Sequence, residues 1–293
     1  MKSGFISIIG RPNVGKSTLM NAVLGEKIAI TTDKPQTTRN RIRGIYTDSE
    51  AQMIFLDTPG IHKPKNKLGQ FMTEDSLRSV DDVDLVLFVV DNQLASGRGD
   101  QFIIDEIKDT KVKKLLVINK IDTMDPETYR NIFEEYESLE IFDAIYGVSA
   151  TEGKNVGVLL EAIKDRLEEG PVYFPEDAIT DHPERFIVSE IIREKLLLYL
   201  REEVPHGIAV EIESYEEEEN LTRIGAVVYC EKKSHKSIII GKGGRKLKGI
   251  GKSAREDIER LVGTKVFLSL WVRVKENWRD SDFLLSNFGY KDE

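Results

Sequence analysis

Short apolar runs alternate with longer polar stretches through the first 170 residues. Four of the runs, at positions 5–9, 53–56, 114–118 and 144–148, have the length and composition of buried parallel strands. The stretches between them are long enough to form helices. This pattern predicts a doubly wound α/β sheet over residues 1–170.

The second half of the chain has a different order of elements. The spacing predicts a helix over 186–200, strands over 207–213 and 221–231, two helices around a glycine-rich turn at 241–244, and a last strand over 265–275. This α-β-β-α-α-β order predicts a second, smaller α/β domain over 186–277. The proline-punctuated, acidic residues 171–185 are the predicted linker. Aromatic and leucine residues in the tail, 278–293, predict that it packs back onto a domain.

Polar motifs follow the predicted strands of the first half in a fixed order: GRPNVGKS at 10–17, QTTR at 36–39, DTPG at 57–60, NKID at 119–122 and SA at 149–150. The first is a phosphate-binding loop, because its glycines allow the backbone to wrap around a polyphosphate and the following helix begins with its positive end there. We therefore expect a P-loop NTPase fold of the Ras-like kind. Lys16 is expected to reach the β- and γ-phosphates.

Guanine specificity is predicted from the NKID motif. Asp122 can accept hydrogen bonds from guanine N1–H and its 2-amino group, whereas adenine offers neither donor. Asn119 is expected to brace the loop, and the stem of Lys120 to cover one face of the base. Ser149 and Ala150 present backbone N–H groups to the guanine 6-oxo group. GTP and GDP are therefore the predicted ligands.

A Mg²⁺ ion is expected beside the phosphates. Its predicted ligands are Ser17, Asp57 through a bound water, and Thr38 or, failing that, Thr37. Gly60 is free to turn its N–H toward a γ-phosphate and away again. The full set of predicted nucleotide-binding residues is Gly10, Arg11, Pro12, Asn13, Val14, Gly15, Lys16, Ser17, Thr18, Gln36, Thr37, Thr38, Asp57, Thr58, Pro59, Gly60, Asn119, Lys120, Ile121, Asp122, Ser149, Ala150 and Thr151.

One position argues against fast hydrolysis. Ras-like enzymes place a glutamine after the DTPG-type motif to orient the attacking water, and this chain has Ile61 there. Catalysis is therefore assigned to Lys16, Thr38, Gly60 and Asn13, and we expect a slow intrinsic rate. Asn13 either helps hold a K⁺ ion that supplies the charge of an arginine finger or is simply a polar loop residue.

The turn GKGG at 241–244 has the GxxG pattern with which KH domains hold single-stranded nucleic acid. Between positions 232 and 255 there are nine Lys or Arg residues and no Asp or Glu, although the whole chain carries 42 basic and 51 acidic residues. A local cluster of positive charge on an otherwise acidic protein favours binding of a nucleic-acid backbone at that one surface. The predicted RNA-binding residues are Lys236, Ile240, Gly241, Lys242, Gly243, Gly244, Arg245, Lys246 and Lys248. Trp271 and Trp278 either stack on bases or, the interpretation we favour, pack within the domain.

The cysteine count and the hydropathy pattern indicate the cellular compartment in which the protein is expected. A single cysteine, Cys230, excludes an internal disulfide and fits a reducing cytoplasm. No run approaches eighteen apolar residues, so neither a membrane span nor a signal peptide is expected. Nothing in the pattern indicates a dimer seam, and a monomer is expected.

The segments GRPNVGKSTLMNAVLG, PQTTRNR, DTPGIHKPKNKLG, NKID and IIIGKGGRKLKGIG together resemble the Era family of bacterial GTPases, and the resemblance covers essentially the full chain. It implies a TRAFAC-class GTPase domain joined to a type II KH domain. It also implies binding to the 3′ end of 16S rRNA and a role in maturation of the small (30S) ribosomal subunit. Peripheral association with the cytoplasmic face of the inner membrane is implied too, although the sequence contains no amphipathic anchor.

Two other functions are compatible with the motifs. In one, the protein is an RNA-binding scaffold for which GTP is mainly a structural ligand. In the other, it is a membrane-associated GTPase.

Overall fold

The structure is a computed structural model that describes residues 1–95 and 97–290, so the last three residues of the predicted tail lie outside the described residues. The chain forms two compact units. The first comprises Met1–Thr31, Thr38–Lys65 and Gly69–Asp181, and the second comprises Thr32–Thr37, Asn66–Leu68 and His182–Glu293.

The first unit is built on a six-stranded sheet with helices packed against it. Its strands are β1 (Lys2–Ile9), β2 (Ile42–Thr47), β3 (Ala51–Asp57), β4 (Leu85–Val90), β5 (Lys113–Ile118) and β6 (Ala144–Gly147). Its helices are α1 (Lys16–Leu24), α2 (Lys67–Arg78), α3 (Arg98–Ile107), α4 (Pro126–Glu137) and α5 (Val156–Lys164).

The order of the strands in this sheet is β2-β3-β1-β4-β5-β6, and only the β2–β3 pair is antiparallel. Every residue of β3 and β4 is buried, because helices cover both faces of a parallel sheet. The chain order reverses at β1, which has β3 on one side and β4 on the other. Ligands of open α/β sheets bind beyond the carboxyl end of the strand at such a switch point.

The second unit consists of α6 (Glu184–Tyr199), β7 (Ile208–Glu218), β8 (Leu221–Cys230), α7 (Lys233–Ile240), α8 (Arg245–Val262), β9 (Lys265–Val274) and α9 (Asp282–Asn287). The observed order confirms the predicted α-β-β-α-α-β fold. β7 and β8 form an antiparallel hairpin, and β9 adds to β8 in parallel. Helices α6, α7 and α8 contact the sheet or each other.

The described part of the tail packs within the second unit. Trp278 is fully buried and donates through Nε1 to the carbonyl of Gly207 at 3.0 Å. The ring of Phe288 lies 4.8 Å from that of Tyr229, and the ring of Tyr290 stacks on Trp278. Trp278 therefore has a packing role, as favoured from the sequence, whereas Trp271 on β9 is 49% exposed.

The segment Thr32–Thr37 belongs to the second unit because of its contacts there. Arg193 of α6, almost fully buried, donates to the carbonyl of Thr37 and pairs with Glu190. Thr37 Oγ1 in turn donates to the carbonyl of Lys34 at 2.7 Å.

Candidate nucleotide site and nucleic-acid interface

The phosphate loop leaves β1 and enters α1 through an unusual backbone path. Gly10 has φ of +152°, Asn13 +66° and Gly15 +101°. A Cβ atom on Gly15 would lie 2.2 Å from Asn119 Nδ2, so both the dihedral and the available space require glycine. α1 begins at Lys16, where its first N–H groups and positive end face the loop.

Lys16 is folded into the loop that precedes it. Its Nζ donates to the carbonyl oxygens of Gly10 at 3.0 Å and Arg11 at 2.9 Å. Burial lowers the pKa of Lys16 to about 8, partly offset by the charge of Asp57. A polyphosphate would supply the negative charge that this buried ammonium group favours.

Ser17, Thr38 and Asp57 come together at the start of α1. Ser17 Oγ donates to Asp57 Oδ2 at 2.6 Å and lies 2.9 Å from Thr38 Oγ1, which is 3.2 Å from the same carboxylate oxygen. Burial raises the pKa of Asp57 to about 6, against the lowering effect of Lys16. The other carboxylate oxygen, Oδ1, is buried and has no hydrogen-bond partner among the described residues.

These oxygens fit a hard cation. Hydroxyl and carboxylate oxygens are the ligands that Mg²⁺ prefers, and the unpartnered Oδ1 of Asp57 is suited to a metal-bound water. The structure places Thr38 beside Ser17 and Asp57. No cluster of three or more His, Cys, Asp or Glu side chains suited to a metal is found in the described part of the chain.

The DTPG segment is held close to the phosphate loop. Thr58 Oγ1 donates to the carbonyl of Ile8 at 2.7 Å, and the N–H of Ile61 donates to the carbonyl of Gly10 at 3.1 Å. A Cβ atom on Gly60 would lie 2.6 Å from the backbone of Pro12, so only glycine permits this approach. Ile61 is buried within the core beneath the sheet, and its side chain therefore packs instead of facing a water.

Asn119 ties the predicted guanine loop to both neighbouring loops. Its Nδ2 donates to the carbonyl of Val14 at 2.9 Å, and its Oδ1 accepts from the N–H of Ala150 at 3.0 Å. Lys120 adopts a positive φ of +65° and donates to the carbonyl of Asn13 at 2.7 Å. Asp122 is exposed in a 3₁₀ turn over Ile121–Thr123, where it is open to a base.

The remaining predicted nucleotide-binding residues differ in burial and in the unit to which they belong. Ser149 is buried in a bridge with Lys154, while Thr151 is exposed. Gln36 and Thr37 belong to the second unit.

Sequence reasoning missed Asp91 and Asp100. Asp91, at the end of β4, accepts from Arg11 at 2.7 Å and from Lys120 at 3.0 Å. Asp100, in the first turn of α3, is completely buried, and its Oδ1 lies 2.8 Å from Arg11 Nε. The available signal was the position of Asp91 directly after an apolar strand, which is where the other motifs also stand.

The GxxG turn connects α7 to α8. Gly241, Gly243 and Gly244 have φ of +72°, +61° and +76°, and a Cβ atom on Gly243 or Gly244 would meet nothing within 4 Å. The glycines thus leave open space above the turn, where a sugar-phosphate backbone can approach. Lys242 in the turn and Arg245 at the start of α8 are exposed.

A groove of about 820 Å³ follows α8 beside β9. It is lined by Gly244, Arg245, Leu247, Lys248, Gly249, Gly251, Lys252, Arg255, Leu268 and Leu270. Cationic side chains, glycine backbone and leucine side chains are thus present together. This combination suits a single strand, since phosphates meet the cations and bases meet the apolar wall.

Comparison with known proteins agrees with both sites. Residues 5–120 match a family described as 50S ribosome-binding GTPase, and residues 203–279 match the KH domain family. The chain is 58% identical to GTPase Era of Alkaliphilus oremlandii over 291 residues, 99% of each chain, and 56% identical to GTPase Era of Clostridioides difficile over 100% of this chain and 99% of the relative.

Two solved structures cover 100% of this chain at 40% identity and a TM-score of 0.96. One is Era in complex with MgGDPNP and nucleotides 1506–1542 of 16S ribosomal RNA. The other is an Aquifex aeolicus Era variant bound to GDP and AlF₄⁻. No helix within residues 1–95 or 97–290 has the length and apolar character needed to cross a membrane. The full-length identity, the order of the nucleotide motifs and the KH fold together show that the chain belongs to the Era family of GTPases.

Proposed function

We propose that this protein binds the 3′ region of 16S rRNA in a GTP-dependent manner and acts in maturation of the small ribosomal subunit. The observation that carries the proposal is the match over the whole chain, with a TM-score of 0.96, to Era in complex with MgGDPNP and 16S rRNA nucleotides. The groove beside α8 offers cationic and apolar side chains that suit RNA. The hydroxyl and carboxylate oxygens around Asp57 suit a Mg²⁺-bound nucleotide.

In this proposal the RNA strand lies along the GxxG turn and the first two turns of α8. The open space above Gly243 and Gly244 admits the sugar-phosphate backbone, while Lys242, Arg245 and Lys248 neutralise phosphates. The predicted RNA-binding residues Lys236, Ile240 and Lys246 are partly buried on the same two helices, at the edge of this surface.

Mg²⁺ would be held by Ser17, Thr38 and a water on Asp57, and it would neutralise charge on the transferred phosphoryl group. Lys16 binds the phosphates, Gly60 offers its N–H to the γ-phosphate, and Asp122 selects guanine. Since the buried Ile61 cannot orient water, we expect slow hydrolysis by the protein alone.

We also propose that K⁺ stimulates hydrolysis. Asn13 is exposed within the phosphate loop, where its amide oxygen is able to contribute to a monovalent cation site. Phosphate release in KCl should exceed that in NaCl at equal ionic strength, and Asn13→Ala should remove the difference. Equal rates of the unaltered protein in both salts would contradict this part of the proposal.

The main test is titration of a short single-stranded RNA matching the 16S rRNA 3′ tail, with Mg·GTP analogue and with Mg·GDP. We expect tighter binding with the GTP analogue, weak binding of a scrambled RNA, and a salt slope of roughly −2 to −3 for four phosphate contacts at ~0.7 each. Lys242→Asp should weaken binding strongly, whereas Lys111→Asp, at an exposed lysine of the other unit outside the predicted nucleotide site, serves as the charge-matched control.

Other outcomes select among the alternatives. Equal RNA affinity in both nucleotide states, with little phosphate release, would identify a scaffold for which GTP is a structural ligand. A cytoplasmic monomer is proposed, to be checked by sedimentation. Peripheral association with the inner membrane is also proposed, and flotation with anionic liposomes tests it.

A further inference from the structure

A cluster of four charged side chains lies behind the nucleotide site, and two of its members, Asp91 and Asp100, have no part in the reaction described above. Asp91 is 9% exposed and Asp100 is 0% exposed. They belong to different elements, since Asp91 follows β4 and Asp100 lies in α3. Both face Arg11 of the phosphate loop.

The carboxylate of Asp91 accepts from cations of two different loops. Arg11 donates to Oδ1 at 2.7 Å, and Lys120 of the NKID motif donates to Oδ2 at 3.0 Å. One oxygen thus holds the loop that meets the phosphates, and the other holds the loop that meets the base.

Arg11 is also fixed from its far side. Its Nε lies 2.8 Å from Asp100 Oδ1, and its side chain passes so close to Gly99 that a Cβ atom there would lie 2.5 Å from Arg11 Cδ. Burial raises the pKa of Asp100, and the guanidinium group opposes this by stabilising the carboxylate. The first turn of α3 therefore packs closely against the Arg11 side chain and fixes its position.

Lys120 completes the connection to the phosphate loop. The same Nζ that donates to Asp91 also donates to the carbonyl of Asn13 at 2.7 Å. Removing the charge of Asp91 would leave Arg11 and Lys120 close together without the carboxylate that separates and orients them, and like charges at short range repel. The aliphatic stem of Lys120, which is expected to cover the base, would then lose its fixed position.

We propose that Asp91 and Asp100 are positioning residues that set how long a guanine nucleotide stays bound. Through Arg11 and Lys120 they fix the phosphate loop (10–17) relative to the guanine loop (119–122), so that the groups that bind the base and the phosphates keep a constant spacing. Because the bridge fixes the two loops that meet the base and the phosphates common to both nucleotides, it should act on GDP and GTP alike. The proposal rests on the nucleotide site described above.

The test is stopped-flow release of fluorescent GDP and of a fluorescent non-hydrolysable GTP analogue from the full-length protein. Asp91→Asn should release both nucleotides about tenfold faster, which corresponds to the loss of about 1.4 kcal/mol. The matched control is Asp48→Asn, which removes a 2.8 Å ion pair with the buried Lys164 in the same unit. Asp48 lies in the turn between β2 and β3, at the opposite end of β3 from Asp57. The release rates of this control should stay within about twofold of the original protein, by the same conversion.

A double-mutant cycle distinguishes positioning from general loosening. If Arg11 and Asp91 act as one unit, Arg11→Gln/Asp91→Asn should release nucleotide no more than about twofold faster than the faster single variant, because coupled sites are not additive. Multiplying effects would contradict the bridge, as would equal acceleration by Asp48→Asn. Unchanged or slower release from Asp91→Asn would also overturn it. Failure of the unaltered protein to bind guanine nucleotides would instead refute the underlying site.

Discussion

Replacing Gly15 with alanine should separate two contributions of this glycine, one to folding and one to nucleotide binding. The backbone strain of an alanine at φ of +101° costs about 1–3 kcal/mol whether or not nucleotide is bound, so it lowers stability alone. The new Cβ would also lie 2.2 Å from Asn119 Nδ2 and must displace that side chain. Asn119 would then lose its hydrogen bonds to Val14 and Ala150, worth about 1 kcal/mol each.

Because nucleotide binding would then have to return the displaced guanine loop to its braced position, these losses predict a GDP affinity lower by up to about 2 kcal/mol, or roughly 30-fold. Gly25 provides the control, because it lies at the other end of α1 with φ of +71° and nothing within 4 Å of an added Cβ. Gly25→Ala should therefore lower the melting temperature while leaving affinity unchanged. Calorimetric titration with Mg·GDP and thermal unfolding without nucleotide measure the two effects. A Gly15→Ala affinity within threefold of the original protein would refute the bracing role of Asn119.

Three further predictions concern single side chains. Thr38→Ala should raise the Mg²⁺ concentration needed for binding of a GTP analogue, whereas Thr37→Ala should not, since Thr37 Oγ1 is engaged with Lys34; titration of Mg²⁺ at fixed analogue compares them. Trp278→Phe should cost about 1–3 kcal/mol of unfolding free energy in urea, because a buried carbonyl loses its partner, and a loss below the measurement error would contradict the packing role. Burial raises the pKa of the Cys230 thiol, so it should react with a thiol reagent only on unfolding, and fast labelling of the native protein would show that the strand opens.

Much of the nucleotide site was predictable because its chemistry is local. The phosphate loop is a continuous run of eight residues, and its glycines allow the unusual backbone dihedrals that the loop requires. The structure gives Gly10 and Gly15 the positive φ expected of them. The choice between Thr37 and Thr38 was not settled by sequence, since both have the same hydroxyl. It depends on which of them faces Asp57, a contact between distant segments.

The bridge at Asp91 was missed for the same physical reason. Arg11 is far in sequence from both Asp91 and Asp100, and the register of β1 against β4 brings Arg11 and Asp91 together. The sequence predicts that Ile61 cannot orient water, but the position of Ile61 in the core depends on how the chain turns after Gly60. Hydropathy alone does not reveal that turn.

In the second unit the order of elements was predictable, but the length of β7 was not. The apolar alternation ends near Glu213, whereas the observed strand continues through an acidic run to Glu218. Pairing with β8 explains the extension, because Glu216 lies opposite Arg223, and Arg223 also pairs with Glu218 at 2.7 Å. A cross-strand partner thus stabilises a segment with low intrinsic strand propensity.

The parallel pairing of β9 with β8 has a consequence for the newly made chain on a ribosome. α7, the GxxG turn and α8 form the crossover between these two strands, so the strand that closes this crossover exists only after Lys265–Val274 has been synthesised. Until then one edge of β8, with its buried apolar residues from Ile224 to Cys230, is open and invites unwanted pairing. A nascent or truncated chain that stops before β9 also lacks Leu268 and Leu270, the apolar wall of the groove beside α8, so this groove is complete only when the chain is nearly finished.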